Sequence, residues 1–212
     1  MIPILAERRL YGILDLGYVE PAKSVETTRA MLAGGVQILQ LRAKKLSPAE
    51  ILPFAQNLAP LCRAAGVPFI LNDHPELVGP AGADGVHVGQ DDLSLAEARR
   101  LAGPGKLVGL STHSPAQARA AFAQKPDYIG FGPLFSTPTK PDYTPIGTAD
   151  IADVHRDAPL PIYCIGGIKL ENLAQILATG AQRVVIVSGI LQAPDISAYC
   201  ADCLRLLRGN WR

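Results

Sequence analysis

Residues 31–44 read Met31-Leu32-Ala33-Gly34-Gly35-Val36-Gln37-Ile38-Leu39-Gln40-Leu41-Arg42-Ala43-Lys44. One structural repeat is legible in that stretch. A helical pattern over 25–32 stops at glycine, a short aliphatic run over 37–41 follows, and basic side chains stand where the run ends. Glycine after a helix supplies the left-handed conformation that turns the chain into the next element. An apolar run of this length between turn signals fits a strand buried on both faces of a parallel sheet.

The same unit recurs. Ala65-Gly66-Val67, Ala81-Gly82-Ala83-Asp84 and Thr179-Gly180-Ala181-Gln182 each precede an apolar run, so Gly34, Gly66, Gly82 and Gly180 are expected to end helices. The expected strands are 10–14, 37–41, 68–71, 85–88, 107–110, 128–130, 162–165 and 184–187. Helical patterns fall over 25–32, 48–64, 95–101, 115–123, 149–156, 170–178 and 194–207. Ser47-Pro48-Ala49-Glu50 carries a capping serine, a first-turn proline and a capping-box glutamate, and Ser114-Pro115 repeats the first two signals. Strands and helices alternating in this way predict an α/β chain, a single (β/α)8 TIM barrel over residues 1–212. The rival is an open doubly wound sheet, but Asp15-Leu16-Gly17-Tyr18 after the first strand lacks its glycine fingerprint.

With 48% hydrophobic residues the chain has ample core, so its 20 glycines and 18 prolines punctuate packed elements and disorder is excluded. Twenty basic against 19 acidic residues give a formal charge of +1, which offers no broad footprint for nucleic acid or an anionic membrane. Any anion must therefore be bound locally. The opening Met1-Ile2-Pro3-Ile4-Leu5 is too short for a signal segment and no stretch approaches a membrane span, so a soluble, cytoplasmic chain is expected. Cys62, Cys164, Cys200 and Cys203 are too few for a disulfide scaffold, and the Cys200/Cys203 pair reads as buried helix cysteines rather than a redox or metal motif.

In a parallel barrel the loops after the strands share one face, so residues just beyond each run converge. Here they are Asp15; Gln40, Arg42 and Lys44; Asn72 and Asp73; Gln90, Asp91 and Asp92; Ser111, Thr112 and His113; the segment from Gly130 to Lys140; Gly166-Gly167; and Ser188-Gly189. The last two loops suit a phosphate, since barrels bind one between strands seven and eight through backbone N–H groups. Glycine admits the anion there and Ser188 adds a hydroxyl. Asp73 and Asp92 follow neighbouring strands and offer the hard oxygens that Mg²⁺ takes along with phosphate oxygens; Asp91 could replace Asp92, and each aspartate could instead cap a turn. Arg42, Lys44 and Lys140 add positive charge on that face, which suits a diphosphate. The Pro-rich segment 133–145 reads as a binding loop or lid. Among the histidines, His74 and His155 read as surface residues, His87 as packed within a strand, and His113 as a group near the site.

These residues resemble the thiamin phosphate synthase family. The likeness is carried by Gln40-Leu41-Arg42-Ala43-Lys44, Asn72-Asp73, the run from Gly82 to Asp92, Gly109-Leu110-Ser111-Thr112-His113, Gly130-Phe131-Gly132-Pro133 with Thr137-Pro138-Thr139-Lys140, Ile165-Gly166-Gly167-Ile168 and Val187-Ser188. Several short motifs in the right order are far more specific than any one of them.

The resemblance implies joining of a hydroxymethylpyrimidine diphosphate to a thiazole phosphate, with release of diphosphate. It implies that Gln40, Leu41, Arg42, Ala43, Lys44, Asn72, Ser111 and Lys140 hold the pyrimidine diphosphate, with Arg42, Lys44, Ser111 and Lys140 acting on the reacting groups. Asp73 and Asp92 would bind Mg²⁺, and Thr137, Pro138, Thr139, Gly167, Val187 and Ser188 would take the thiazole phosphate. Partners are then small molecules, with no nucleic acid or membrane; exposed apolar positions on outer helices leave room for a homodimer. Two features depart from the family pattern: the Asp15-Leu16-Gly17-Tyr18 end of the first strand and the bulky Tyr143. The alternatives are a thiazole tautomerase of the same superfamily using His113, and a phosphate-ligand binder without activity.

Overall fold

The computed structural model describes Leu5 and residues 7–137 and 144–209. Along the chain run β1 (Leu10–Asp15), a 3₁₀ turn (Pro21–Lys23), α1 (Ser24–Ala33), β2 (Ile38–Arg42), α2 (Pro48–Ala64), β3 (Phe69–Asn72), a second 3₁₀ turn (Pro75–Leu77) and α3 (Val78–Ala81). There follow β4 (Gly85–Val88), α4 (Leu95–Ala102), β5 (Leu107–Thr112), α5 (Pro115–Gln124), β6 (Tyr128–Phe131) and α6 (Ile151–Arg156). The chain ends through β7 (Ile162–Cys164), α7 (Leu170–Ala178), β8 (Val184–Ile186), α8 (Ser188–Leu191) and α9 (Ile196–Gly209). The strands close in sequence order into a parallel barrel, with β8 pairing back onto β1. The expected TIM barrel is the fold.

Its apolar residues divide into two cores, as alternation along each strand requires. Leu39 and Leu41, Phe69 and Leu71, Val86 and Val88, and Val108 and Leu110 point outward into the layer beneath the helices. Tyr11, Ile13, Ile38, Ile70, Leu107, Tyr128, Tyr163 and Val185 fill the barrel itself. Among the described residues no helix is long and apolar enough to cross a membrane. All four cysteines are free and buried, and burial pushes each thiol up to about 12, in keeping with a packing role.

Helix entry follows the local sequence. Ser47 and Glu50 close the expected capping box, and the Ser114 and Ser94 side chains accept the N–H groups of Gln117 and Glu97. Helix exit differs at one site. Gly66, Gly82 and Gly180 have positive φ, but Gly34 is right-handed and Gly35, at +90°, makes the turn. Gly34 is needed for another reason: a Cβ there would lie 2.4 Å from the Ser197 carbonyl oxygen of α9. Sequence inspection also passed over the short elements Pro21–Lys23, Pro75–Leu77, α3 and α8. His155 is not a surface residue; its ring folds back on its own helix, α6, its Nδ1 2.8 Å from the Ile151 carbonyl and its Nε2 buried without a partner.

Candidate active site

The pocket opens at the C-terminal ends of the strands, where all eight contribute residues. The side near β7, β8 and β1 is largely apolar, with Ile13, Tyr163, Ile165, Val185 and Val187. The opposite side carries Gln40, Arg42, Asn72, His87, Ser111, Thr112 and His113. One half thus suits flat rings and the other polar or anionic groups.

The polar side is built from strand positions facing inward. Arg42, at the end of β2, donates to Asp15 Oδ2 at 2.5 Å, and Asp15 Oδ1 accepts the Gly17 N–H at 2.8 Å. Asp15 is 2% exposed, so it cannot meet a ligand itself. Among the strand-end groups it is a brace that fixes Arg42. Lys44 forms an ion pair with Asp73, which occupies the left-handed region with φ +66°. A non-glycine residue held in that conformation is strained, and Asp is among the few that tolerate it. Burial pushes the Asp73 carboxyl up, Lys44 opposes the rise, and Asp92 adds to it by charge and hydrogen bonding.

Asp92 closes its own loop as well, accepting the Gly89 N–H at 2.7 Å. Asp73 and Asp92 are therefore direct neighbours, Asp73 tied also to Lys44 and Asp92 to the Gly89 N–H. Among the described residues no group of three or more His, Cys, Asp or Glu side chains gathers as a metal cage. A site of two carboxylates completed by substrate oxygens is a different kind of site, and it is the one Mg²⁺ favours.

At the other end, Thr137, Gly166, Gly167, Val187 and Ser188 line the pocket together. Gly166 and Gly167 have φ of +99° and +66°, and the 133–136 segment lies against them, tied down by Leu134 N–H to Ile165 O at 2.8 Å and Phe135 N–H to Gly166 O at 3.1 Å. Asn172 Nδ2 holds the Gly167 carbonyl at 3.0 Å. Ser188 begins α8. Gly189 is also closely packed, since a Cβ there would lie 2.5 Å from the Tyr199 hydroxyl.

Several expected residues sit elsewhere. The Leu41 and Ala43 side chains are buried in the layer beneath the helices, so only their backbone can face a ligand. Lys44, Asp73 and Asp92 stand off the wall of the pocket, which Asn72 reaches. Pro138, Thr139, Lys140 and Tyr143 lie outside the described residues. His113 lines the pocket with Nδ1 2.5 Å from the Gly132 carbonyl. Sequence reasoning missed the floor altogether. Tyr11, Tyr128 and Tyr163 meet there edge to face, with ring centroids 5.5 to 5.9 Å apart. Burial raises all three phenols, so they stay protonated donors. The available signal was a tyrosine at an inward strand position, where aliphatic residues usually pack.

A family model described as thiamine monophosphate synthase matches residues 10–190. The chain is 41% identical over 194 residues to the thiamine-phosphate synthase of Halalkalibacterium halodurans, covering 91% of this chain and 92% of that protein. It is 46% identical over 174 residues to the Thermus thermophilus thiamine-phosphate synthase, covering 81% and 83%. Among solved structures, the thiamine phosphate pyrophosphorylase from Pyrococcus furiosus superposes with a TM-score of 0.87 at 27% identity, over 97% of this chain and 98% of that one. The 3-hexulose-6-phosphate synthase from Salmonella typhimurium, at 18% identity and a TM-score of 0.70, shares the barrel fold. With a pocket divided between a largely apolar side and a polar one, and with these likenesses spanning nearly its whole length, the chain belongs to the thiamine monophosphate synthase family.

Proposed function

We propose that the protein is a Mg²⁺-dependent thiamin phosphate synthase, coupling hydroxymethylpyrimidine diphosphate to thiazole phosphate with release of diphosphate. The observation that carries this reading is the division of one pocket. Arg42, Asn72 and Ser111 stand on one side, and Thr137, Gly167 and Ser188 on the other, beside the apolar Ile165, Val185 and Val187. Two anionic substrates with aromatic rings between their anions fit that division.

In the reaction the bond from the pyrimidine methylene carbon to the diphosphate oxygen breaks, and its electron pair leaves with diphosphate. The electron-rich aminopyrimidine stabilises the carbon cation left behind. The thiazole nitrogen then donates its lone pair to form the new C–N bond. No proton need be removed, so the reaction calls on no side-chain base. Positioning and charge stabilisation supply the rate.

On this reading Arg42, braced by Asp15, is aimed at the charge that grows on diphosphate. Lys44 and Lys140 add to it, and Gln40, Asn72 and Ser111 orient the pyrimidine half, with Leu41 and Ala43 contributing backbone. Thr137, Pro138, Thr139, Gly167, Val187 and Ser188 hold the thiazole phosphate. The adjoining carboxylates of Asp73 and Asp92 are the donors for Mg²⁺. When bound, the ion neutralises diphosphate oxygens and so makes them a better leaving group.

The test is to incubate the purified protein with both phosphorylated halves, with and without Mg²⁺, and to follow thiamin phosphate and diphosphate. Equal amounts of both products, formed only with the metal, are expected. No product from folded protein would overturn the proposal. Tautomerisation of the thiazole half alone, lost in His113→Ala, would assign the isomerase reaction instead.

A further inference from the structure

A buried hydrogen-bond chain crosses the barrel and ends at the pocket. Gln40 Nε2 lies 2.6 Å from the Tyr11 hydroxyl, which is 3.1 Å from the Tyr128 hydroxyl. Tyr128 in turn is 3.2 Å from His87 Nδ1, and His87 Nε2 is 2.9 Å from Ser111 Oγ. These residues come from β1, β2, β4, β5 and β6. The barrel makes room for the contact between β4 and β6. His87, Gly109 and Tyr128 share one register row, and a Cβ at Gly109 would lie 2.2 Å from Tyr128 Cζ and 2.6 Å from His87 Nδ1.

The chain has a direction. The Gln40 amide nitrogen can only donate, so Tyr11 accepts there; either hydroxyl of the Tyr11–Tyr128 pair can be the donor, and in the order we infer Tyr11 gives its one proton to Tyr128. Tyr128 then gives its proton to His87 Nδ1. A histidine that accepts at Nδ1 carries its proton on Nε2, which donates to Ser111 Oγ. Ser111 lines the pocket, and with its oxygen already accepting, its own hydrogen is left for a ligand. We propose that Gln40, Tyr11, Tyr128 and His87 are positioning residues that hold Ser111 as a hydrogen-bond donor to an oxygen of the leaving diphosphate. This rests on the reaction proposed above, and it deepens that reading by fixing the proton order beneath the site. Without Tyr128, His87 is free to take the other tautomer, and Ser111 would then donate to the ring instead of to the substrate.

Two measurements on the full chain test this. The first needs no substrate: ¹⁵N NMR of histidine-labelled protein should show His87 neutral with its proton on Nε2, and Tyr128→Phe should shift the ring toward the other tautomer. A proton on Nδ1 in the unaltered protein would overturn the relay. The second is a kinetic cycle. Tyr128→Phe should lower kcat about tenfold, the scale of one hydrogen bond to a charged group, with little change in KM. In a Ser111→Ala background the same change should cost almost nothing further. Equal losses in both backgrounds would mean that Tyr128 is merely structural. His87→Gln, whose amide nitrogen can reach the Nε2 position, should retain more activity than His87→Asn; the reverse order would also overturn the chain. If the unaltered protein does not couple the two halves, the reaction falls while the tautomer still decides the relay.

Discussion

Arg42 reaches the pocket with its direction already set. Its guanidinium is held by Asp15, which is itself pinned by the Gly17 N–H. A cation fixed before substrate arrives loses little entropy on binding, so the brace contributes through Arg42 rather than by contact. Asp15→Asn keeps the shape but removes the charge. It should lower kcat/KM for the pyrimidine diphosphate about tenfold, or ~1.4 kcal/mol, with kcat/KM for the thiazole phosphate less affected. Steady-state kinetics with each substrate varied checks the difference. Asp73 calls for a different choice of variant. Because it sits at positive φ, Asp73→Asn tests the charge while keeping a side chain that accepts this backbone. Asp73→Asn and Asp92→Ala should each cut turnover about a hundredfold, ~3 kcal/mol, while the far-ultraviolet circular dichroism stays unchanged. Unaltered rates in both would remove the metal assignment. What the sequence disclosed at this scale was residue type at a strand end. It could not disclose pairing: that Asp15 answers Arg42, or that Leu41 points away, depends on the register of β1 against β2.

At the scale of elements, the strands and the longer helices were legible because their signals are local. Apolar runs, capping serines and first-turn prolines act within a few residues, and their boundaries fall within a residue or two of those observed. The short elements were not, since α3 and α8 are single turns with too few residues for a periodicity. Gly34 shows the same limit. Its sequence context is that of a helix stop, yet its missing side chain answers to α9, far along the chain. Gly34→Ala would drive a Cβ toward both the Ser197 carbonyl and Cys200 Cβ, atoms that cannot swing aside. A loss of about 1–3 kcal/mol is expected, several degrees in Tm by thermal denaturation. Gly79→Ala, where a Cβ would meet nothing within 4 Å, is the control and should not lower Tm. Equal shifts in the two variants would contradict the packing account.

For the whole molecule, a formal charge of +1 offers no broad surface for an anionic partner, and stability turns in part on buried titratable groups. His155 is one. Burial lowers its pKa from 6.5; its bond to the Ile151 carbonyl opposes this, and Arg183 adds to the lowering. The unfolded chain therefore binds a proton more readily than the folded one. The stability from a neutral His155 is complete above about pH 6.5 and is lost as the pH falls toward the lowered value. The urea midpoint should decrease from pH 7.5 to pH 5.5, and His155→Gln should flatten that slope. An unchanged slope would show that another group governs it.

The barrel was legible at this scale because one repeat, seen first at residues 31–44, recurs in order around it. The interior was less so. Nothing local distinguishes a tyrosine that packs outward from one that meets its neighbours across the barrel. The face where these elements converge is tested most directly by a crystal structure with diphosphate and Mn²⁺ in place of Mg²⁺, the ion located by its anomalous signal. One ion should stand between Asp73 and Asp92, with diphosphate oxygens completing its shell and reaching Arg42 and Ser111. An ion away from those two carboxylates, or diphosphate bound elsewhere on the barrel, would contradict a single metal–diphosphate site at the strand ends.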